Sequence, residues 1–456
     1  MRHLIIYRLT LLGVCLLSLF SCSKLIEVDI PKNQLTTDMV FSDSLSAISA
    51  LNNLYFTLAN NLNSNYNKYI SQYVDEYSNT TTNDEFYNGR ISVDNSTNSN
   101  LWGYFYEIIY SCNDIIERVP NSEKLNIRTK KELINEAKFI RAFCYYQLFT
   151  LYENIPLVLQ TDVDENRMIV QSDRSKVFVQ IIADLDDAKK ELYEAYPSGD
   201  RARANKWSVC ALLAQVYLYQ NRWQESFNES DAVLRSGLYT PIEDVDKVFK
   251  SHSSETILQL WRLNGFIGDA TTIIPSSRTA LPRYIMTDVL RSAFEMNDLR
   301  QSIWLGENKV TTGGVTRSYW FPFKYKNRSV SNSSPEYLVL LRASEQYLIR
   351  AESKANLGDL KGAIDDLNII RKRAGLSELS APLSKEDCLK AIYHERRIEL
   401  FGEWGKRFID LKRTGRLDAT MGDYKDTWVN GLSERLPIPY SELLYNTKLK
   451  QNEGYN

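Results

Sequence analysis

Between Arg342 and Gly375 the apolar positions fall twice at helical spacing, Tyr347, Leu348, Ala351, Ala355 and Leu357 first, then Leu360, Ala363, Ile364, Leu367 and Ile370. The spacing predicts two helices. Gly358 supplies a left-handed stop for the first, Asp359 a cap for the second, and Gly375 a second stop. The same period predicts helices over Ser44–Leu58, Leu101–Val119, Lys131–Tyr152, Val177–Tyr193, Trp207–Tyr219, Trp223–Leu234 and Tyr393–Lys412. Pro156 ends the reach of the Lys131–Tyr152 run. Residues 60–100 are rich in Asn, Ser, Thr and Tyr without periodicity and read as long loops. From 238 to 338 short apolar runs are broken by Gly, Pro and Ser: Thr256–Trp261 and Tyr319–Phe323 read as strands or extended loops, and Val310–Thr316 as a hairpin turning on Gly313 and Gly314.

A single helix pair cannot bury its apolar face, so the pattern predicts a stack. Ala351, Ala363 and Leu367 sit where a tetratricopeptide repeat places small and apolar residues, and Leu213, Ala214 and Tyr217 recur at similar offsets, with Ser226 at the second small position. The repeats are degenerate. The predicted fold is therefore mainly α, a tetratricopeptide-like helical-repeat superhelix with an irregular, loop-rich ligand-binding region containing short strands. The predicted division is a leader over 1–21 and one domain over 22–456: an N-terminal helical part 22–237, an irregular insertion 238–338 and a C-terminal helical part 339–456.

At 456 residues, 43% hydrophobic and 25% charged, the chain can bury a large core. Lys and Arg number 55 against 57 Asp and Glu, with no polybasic run, which argues against nucleic acid as a partner. The 28 tyrosines are the one unusual figure, and suggest surfaces that stack. At the N-terminus Arg2 and Arg8 precede an apolar run, Leu9–Phe20, too short for a membrane span. Leu19-Phe20-Ser21-Cys22 follows, and this tetrapeptide resembles the bacterial lipobox. The resemblance implies cleavage before Cys22 and its acylation, anchoring an otherwise soluble chain to a membrane. Loss of residues 1–21 removes two arginines, leaving 53 basic against 57 acidic residues, a balance of −4. Cys112, Cys144, Cys210 and Cys388 lie at wide intervals within helical patterns and read as buried thiols, with a Cys112–Cys144 disulfide left open.

No catalytic constellation stands out. Only His252 and His394 remain after processing, and the chain has no Gly-x-Ser-x-Gly elbow, no phosphate-cradling glycine loop and no metal spacing, so neither a cofactor nor a metal is expected. Asp94, Ser96 and Asn98 alternate like a calcium loop, but Ser99 stands where its glycine belongs and Phe105 where its final carboxylate belongs. His394-Glu395 begins like a zincin motif, yet Ile398 replaces the second histidine; Glu395, Arg396, Arg397 and Glu399 read as ion pairs between helices. A binding role fits better than an enzymatic one. A sugar ring offers apolar C–H faces and a polar rim, so its receptor stacks an aromatic ring on the face and aims amides and charges at the hydroxyls. Trp304, Tyr319 and Trp320, with Asn327 and Arg328 as polar partners and Tyr87 in the first long loop, are the candidate ligand contacts. Burial of Trp320 and Phe321 against the helical platform is the competing reading.

Five ordered segments carry a family resemblance. They are Glu27-Val28-Asp29-Ile30-Pro31 with Leu35-Thr36 and Val40-Phe41; Glu136–Tyr146 running to Ile155-Pro156-Leu157-Val158; the repeat helices; Tyr393–Glu403 with its Glu-Arg-Arg; and the end of the chain, Leu436-Pro437-Ile438-Pro439 through Leu449–Asn452 and Gly454-Tyr455. Glu153-Asn154 stands where Tyr-Gly is common. Together these resemble the SusD/RagB family of nutrient-binding outer-membrane lipoproteins. The resemblance implies a surface lipoprotein, anchored through Cys22, that captures oligosaccharides and delivers them to a SusC-like TonB-dependent transporter. A peptide ligand, as in RagB-like members, is the alternative, and a helical envelope scaffold without a nutrient ligand a lesser one.

Overall fold

The computed structural model describes residues 40–80, 84–241, 244–329, 335–380 and 382–455. Cys22 and the leader lie outside them. Eighteen helices and six short strands run through the described residues. In the N-terminal part these are α1 (Ser44–Asn61), α2 (Asn63–Tyr73), β1 (Tyr77–Asn79), α3 (Glu85–Asn88), α4 (Ser96–Arg118), α5 (Ile127–Tyr152), α6 (Val163–Asn166), α7 (Arg174–Glu191), α8 (Lys206–Tyr219) and α9 (Trp223–Arg235). The middle holds β2 (Thr256–Leu260), α10 (Ile267–Ile273), β3 (Tyr284–Met286), α11 (Asp288–Arg291), α12 (Leu299–Trp304), β4 (Leu305–Thr312), β5 (Val315–Pro322) and β6 (Leu338–Arg342). The C-terminal part holds α13 (Ala343–Leu357), α14 (Leu360–Arg373), α15 (Lys385–Glu399), α16 (Lys406–Arg413), α17 (Leu417–Tyr424) and α18 (Tyr440–Tyr445).

The long helices stack in sequence order, α4 on α5, α5 on α7, α7 on α8, α8 on α9, then α9 on α13 and α13 on α14. That is the predicted helical-repeat fold. In the opening pair Leu348, Ala351, Ala355, Ala363, Ile364, Leu367 and Ile370 are all buried in one cluster. Gly358 caps α13 in the left-handed region, φ 96°, and the Asp359 side chain accepts the Gly362 N–H at 2.9 Å. Small side chains let the helices approach. Ser226 does the same for α8 and α9, its hydroxyl donating to the Ala214 carbonyl at 3.0 Å.

The strands form three antiparallel pairs, β1 with β3, β2 with β6, and β4 with β5. The β2–β6 pair is buried along its whole length, so the chain leaves the helical body at Leu260 and returns at Leu338 through one joint. The β4–β5 hairpin turns on Gly313 and Gly314, both at positive φ, as its text predicts.

Three expectations fail on local grounds. Residues 60–100 are not one long loop: Asn63–Tyr73 is helical, and the stripe Tyr66, Ile70, Tyr73 is buried. The apolar period is carried by tyrosines, whose hydroxyls donate to Gln147 at 2.6 Å and to the Ser433 carbonyl at 2.7 Å. Many tyrosines thus serve the core and not a stacking surface. The expected helix over Tyr393–Lys412 breaks between Glu399 and Lys406, where Gly402, Trp404 and Gly405 take φ of 68°, 42° and 64°. A Cβ on Gly402 would stand 2.0 Å from the Tyr77 hydroxyl, so this position carries no side chain. Glu153, which with Asn154 stands where Tyr-Gly is common, closes α5 at φ 61° and ψ −60°, the Asn154 N–H donating to the Tyr152 carbonyl. Lys412 and Arg435 hold its carboxylate there. Cys112, Cys144, Cys210 and Cys388 are free and buried, without a Cys112–Cys144 disulfide.

Candidate functional site

Alternation along β5 decides the fate of the predicted aromatics. Trp320 packs against the cluster of Ile303 and Leu305, whereas Phe321 enters the main core, with Gly306 opposite it because a Cβ there would lie 2.2 Å from the Phe321 ring. Successive residues of a strand face opposite sides, so Tyr319 and Trp320 cannot share one sugar platform. Trp304 corrects the expectation further. It is fully buried, its indole N–H donates to the Val245 carbonyl at 2.9 Å, and Lys324 Nζ lies 4.7 Å from its ring centroid. It is an anchor of the middle segment and offers no face to a ligand.

Of the remaining predicted contacts, Tyr87 and Asn327 are tied to the fold through their backbones. Tyr87 is half-buried on α3, and its carbonyl accepts from Lys425 Nζ at 2.6 Å; that ammonium also reaches carbonyls of Tyr73 and Phe86, closing the ends of α2 and α3. Burial holds the Lys425 pKa down to about 7. The Asn327 N–H donates to the Glu336 carboxylate at 2.9 Å, and Arg328 is half-buried beside it. Among the described residues, none of the well-formed cavities is lined by these six.

It builds a cleft elsewhere, of about 490 Å³. One wall is the α1 face Ser49, Asn52, Asn53 and Phe56, spaced i, i+3, i+4, i+7 and so aligned on one side of the helix. The other is the turn from Ser198 to Arg203 between α7 and α8, and Trp261 closes the end, one residue beyond β2. Trp261 is 42% and Phe56 53% exposed, large apolar faces left open to water. Tyr337, one residue before β6, stacks behind Trp261 at 6.5 Å between centroids and 29° between planes. The β2–β6 joint therefore positions both rings.

The polar wall is equally fixed. Asp200 accepts from the Ser198 hydroxyl at 2.7 Å and the Ala202 N–H at 3.2 Å, while its carbonyl takes the Gln259 amide at 2.6 Å. Arg201, at φ 56°, turns its guanidinium away onto the Ser253 and Thr256 carbonyls. Arg203 donates from Nε and Nη2 to Glu136, which is fully buried on α5, and the Tyr55 hydroxyl donates to the same carboxylate at 2.8 Å. The Ala204 N–H in turn donates to the Tyr55 oxygen at 2.9 Å. Burial pushes the Glu136 carboxyl up, against the pull of Arg203 and Tyr55. In the sequence Trp261 stands only as the end of a predicted strand or extended loop, and the stripe Ser49, Asn52, Asn53 and Phe56 has the composition of any solvated helix face. Among the described residues no three His, Cys, Asp or Glu side chains are grouped so as to hold a metal ion.

Helix pairs stacked in sequence order, a looped segment leaving and re-entering through one buried strand pair, and an open cleft against that joint define a helical-repeat protein with a surface cleft. Two sequence profiles match it, one described as "SusD family" over residues 284–455, the other as "Starch-binding associating with outer membrane" over residues 27–218. The chain belongs to the SusD family. SusD-like protein P25 of Formosa agariphila is 23% identical over 428 residues, covering 80% of each chain. The starch-binding protein SusD of Bacteroides thetaiotaomicron is 30% identical over 160 residues, 32% of this chain and 26% of that one. Among solved structures, a SusD superfamily protein from Bacteroides vulgatus superposes with TM-score 0.79 at 22% identity, covering 91% of this chain and 100% of the other. A laminarin-binding SusD-like protein superposes with TM-score 0.76 at 24% identity, covering 90% and 99%.

Proposed function

We propose that the protein captures oligosaccharides in the Trp261 cleft, as a lipid-anchored component of the outer membrane that passes them to a SusC-like TonB-dependent transporter. The cleft carries the reading. An exposed indole braced from behind by Tyr337 presents a flat apolar face, and amides and hydroxyls of Asn52, Asn53, Ser49 and Ser198 surround it, the complement of a pyranose face and rim. Its volume of about 490 Å³ is within the range of small-ligand sites. Fixed walls lower the ordering cost of binding. The starch-binding and laminarin-binding relatives support a glycan ligand, and the description of the profile matched by residues 27–218 supports the membrane. Anchoring through Cys22 and delivery to a transporter rest on the lipobox and family resemblances.

Titration calorimetry of the domain after Cys22 with a panel of oligosaccharides and peptides tests the reading. Trp261→Ala should abolish measurable oligosaccharide binding while leaving the thermal transition near that of the parent. Binding that survives Trp261→Ala, or a panel in which only peptides bind, refutes it. Co-purification of a TonB-dependent transporter with the detergent-extracted, full-length protein, and loss of acylation in Cys22→Ala, test the partner and the anchor.

A further inference from the structure

The charges around the cleft do more than shape it. Arg203 is the one guanidinium in its walls, and two of that group's nitrogens are spent on Glu136, a carboxylate fully buried beneath the cleft. The third, Nη1, makes no hydrogen bond among the described residues. The positive charge that an anionic ligand would seek is thus already balanced from behind. Neighbouring arginines offer no substitute: Arg201 is turned onto backbone carbonyls, and Arg262, next to Trp261, is paired with Asp269 at 2.7 Å. Asp200 meanwhile places an additional carboxylate in the wall.

Resting on the oligosaccharide reading above, we infer that the Arg203–Glu136 pair makes the cleft selective for uncharged glycans, with Glu136 as the specificity-determining residue although it does not line the cleft. Arg203 then acts as a hydrogen-bond donor toward ring and hydroxyl oxygens and not as a counter-charge. A uronate or sulfated chain would meet Asp200 with no compensating cation, and like charges across a binding surface are rejected. Glu136 acts through Arg203, so it is a positioning residue.

The test sets neutral hexasaccharides of several linkages against uronate hexasaccharides of matched length, by calorimetry at low and high salt. The parent protein should bind a neutral hexamer and no uronate hexamer, and Trp261→Ala should lose that binding. Glu136→Gln removes the charge and keeps one of the two accepting oxygens; it should gain binding to uronate hexamers by about tenfold or more, and the gain should disappear at high salt. Asp200→Asn retains its contacts to Ser198 and Ala202 and should move selectivity the same way, which keeps the inference testable if Glu136→Gln fails to fold. A parent protein that prefers uronate hexamers, with binding lost in Trp261→Ala, overturns the inference and leaves oligosaccharide capture standing. Unchanged selectivity in Glu136→Gln and Asp200→Asn also overturns it. Binding of any hexamer that ignores Trp261→Ala overturns both.

Discussion

The α13–α14 pair is more deeply buried than the segment between β2 and β6, and the two are held by different balances of forces. In the helix pair Leu348, Ala351, Ala363, Ile364, Leu367 and Ile370 interdigitate in one apolar cluster, and the charges buried beside it, Glu345, Glu352, Asp366 and Arg371, are each ion-paired. At the return of the middle segment, ions do the joining. Arg342, the last residue of β6, reaches Glu399 and Glu403 and, at 3.3 Å, Glu255; Arg300 of α12 is bound by Asp298, Glu395 and Glu399; Arg373 of α14 joins Glu255 and Glu399. Lys324 donates to Glu403 and to the carbonyls of Glu399 and Phe401. All these side chains are nearly or fully buried. Apolar contact tolerates many partners, whereas a network of directed bonds has one arrangement. A segment without its own helical register is therefore fixed in place by charge, and the Trp261–Tyr337 brace inherits that precision.

The comparison breaks most visibly at Glu399. Glu399→Gln leaves Arg300, Arg342 and Arg373 with an incomplete counter-charge and should cost about 3–5 kcal/mol, measured by chemical denaturation. Leu348→Ala in the helix pair should cost about 2–4 kcal/mol, from lost burial and a cavity. Reversal of that order would show that the segment is held by its apolar contacts after all.

Acid should separate the two regions without mutation. Burial alone would raise the Asp410 carboxyl, but Arg396 and Arg413 overcome it and hold its pKa down to about 2, from 3.8. Its folded pKa is depressed, so its stabilisation is complete above the ordinary carboxylate range and is lost as pH falls from about 4 through about 2, at a cost of about 2 kcal/mol. Glu399 is depressed too, its burial outweighed by Arg373, Arg342 and Arg300. Hydrogen exchange on lowering the pH toward 2 should open the β6–α15–α16 joint before the α13–α14 pair. The smallest effect belongs to Gly358→Ala. No atom lies within 4 Å of a Cβ there, so only the left-handed backbone at φ 96° resists, and thermal denaturation should show a loss of about 1 kcal/mol.

The paired helices were legible because their signal is local: spacing, a glycine stop and an aspartate cap lie within one stretch of chain. The Glu395–Glu399 ion pairs were foreseen for the same reason, since four charges on an otherwise packed helix need partners. Their partners were not. Asp75 meets Arg397 and Arg407, and Arg300 meets Glu395 and Glu399, across separations that no local pattern records. Tyr66–Tyr73 was missed because a tyrosine stripe looks polar until its hydroxyls find buried acceptors.

What the sequence alone determined is the helical-repeat architecture, the turn at Gly313-Gly314 and the family, since each follows from residue order. The tertiary structure decided which aromatics face water. Trp304 and Trp261 belong to the same irregular segment and are chemically identical, yet one is enclosed over Val245 and the other stands open against Tyr337. Only the long-range pairing of β2 with β6, and of α1 with the turn before α8, distinguishes them, because exposure is a property of neighbours distant in the chain.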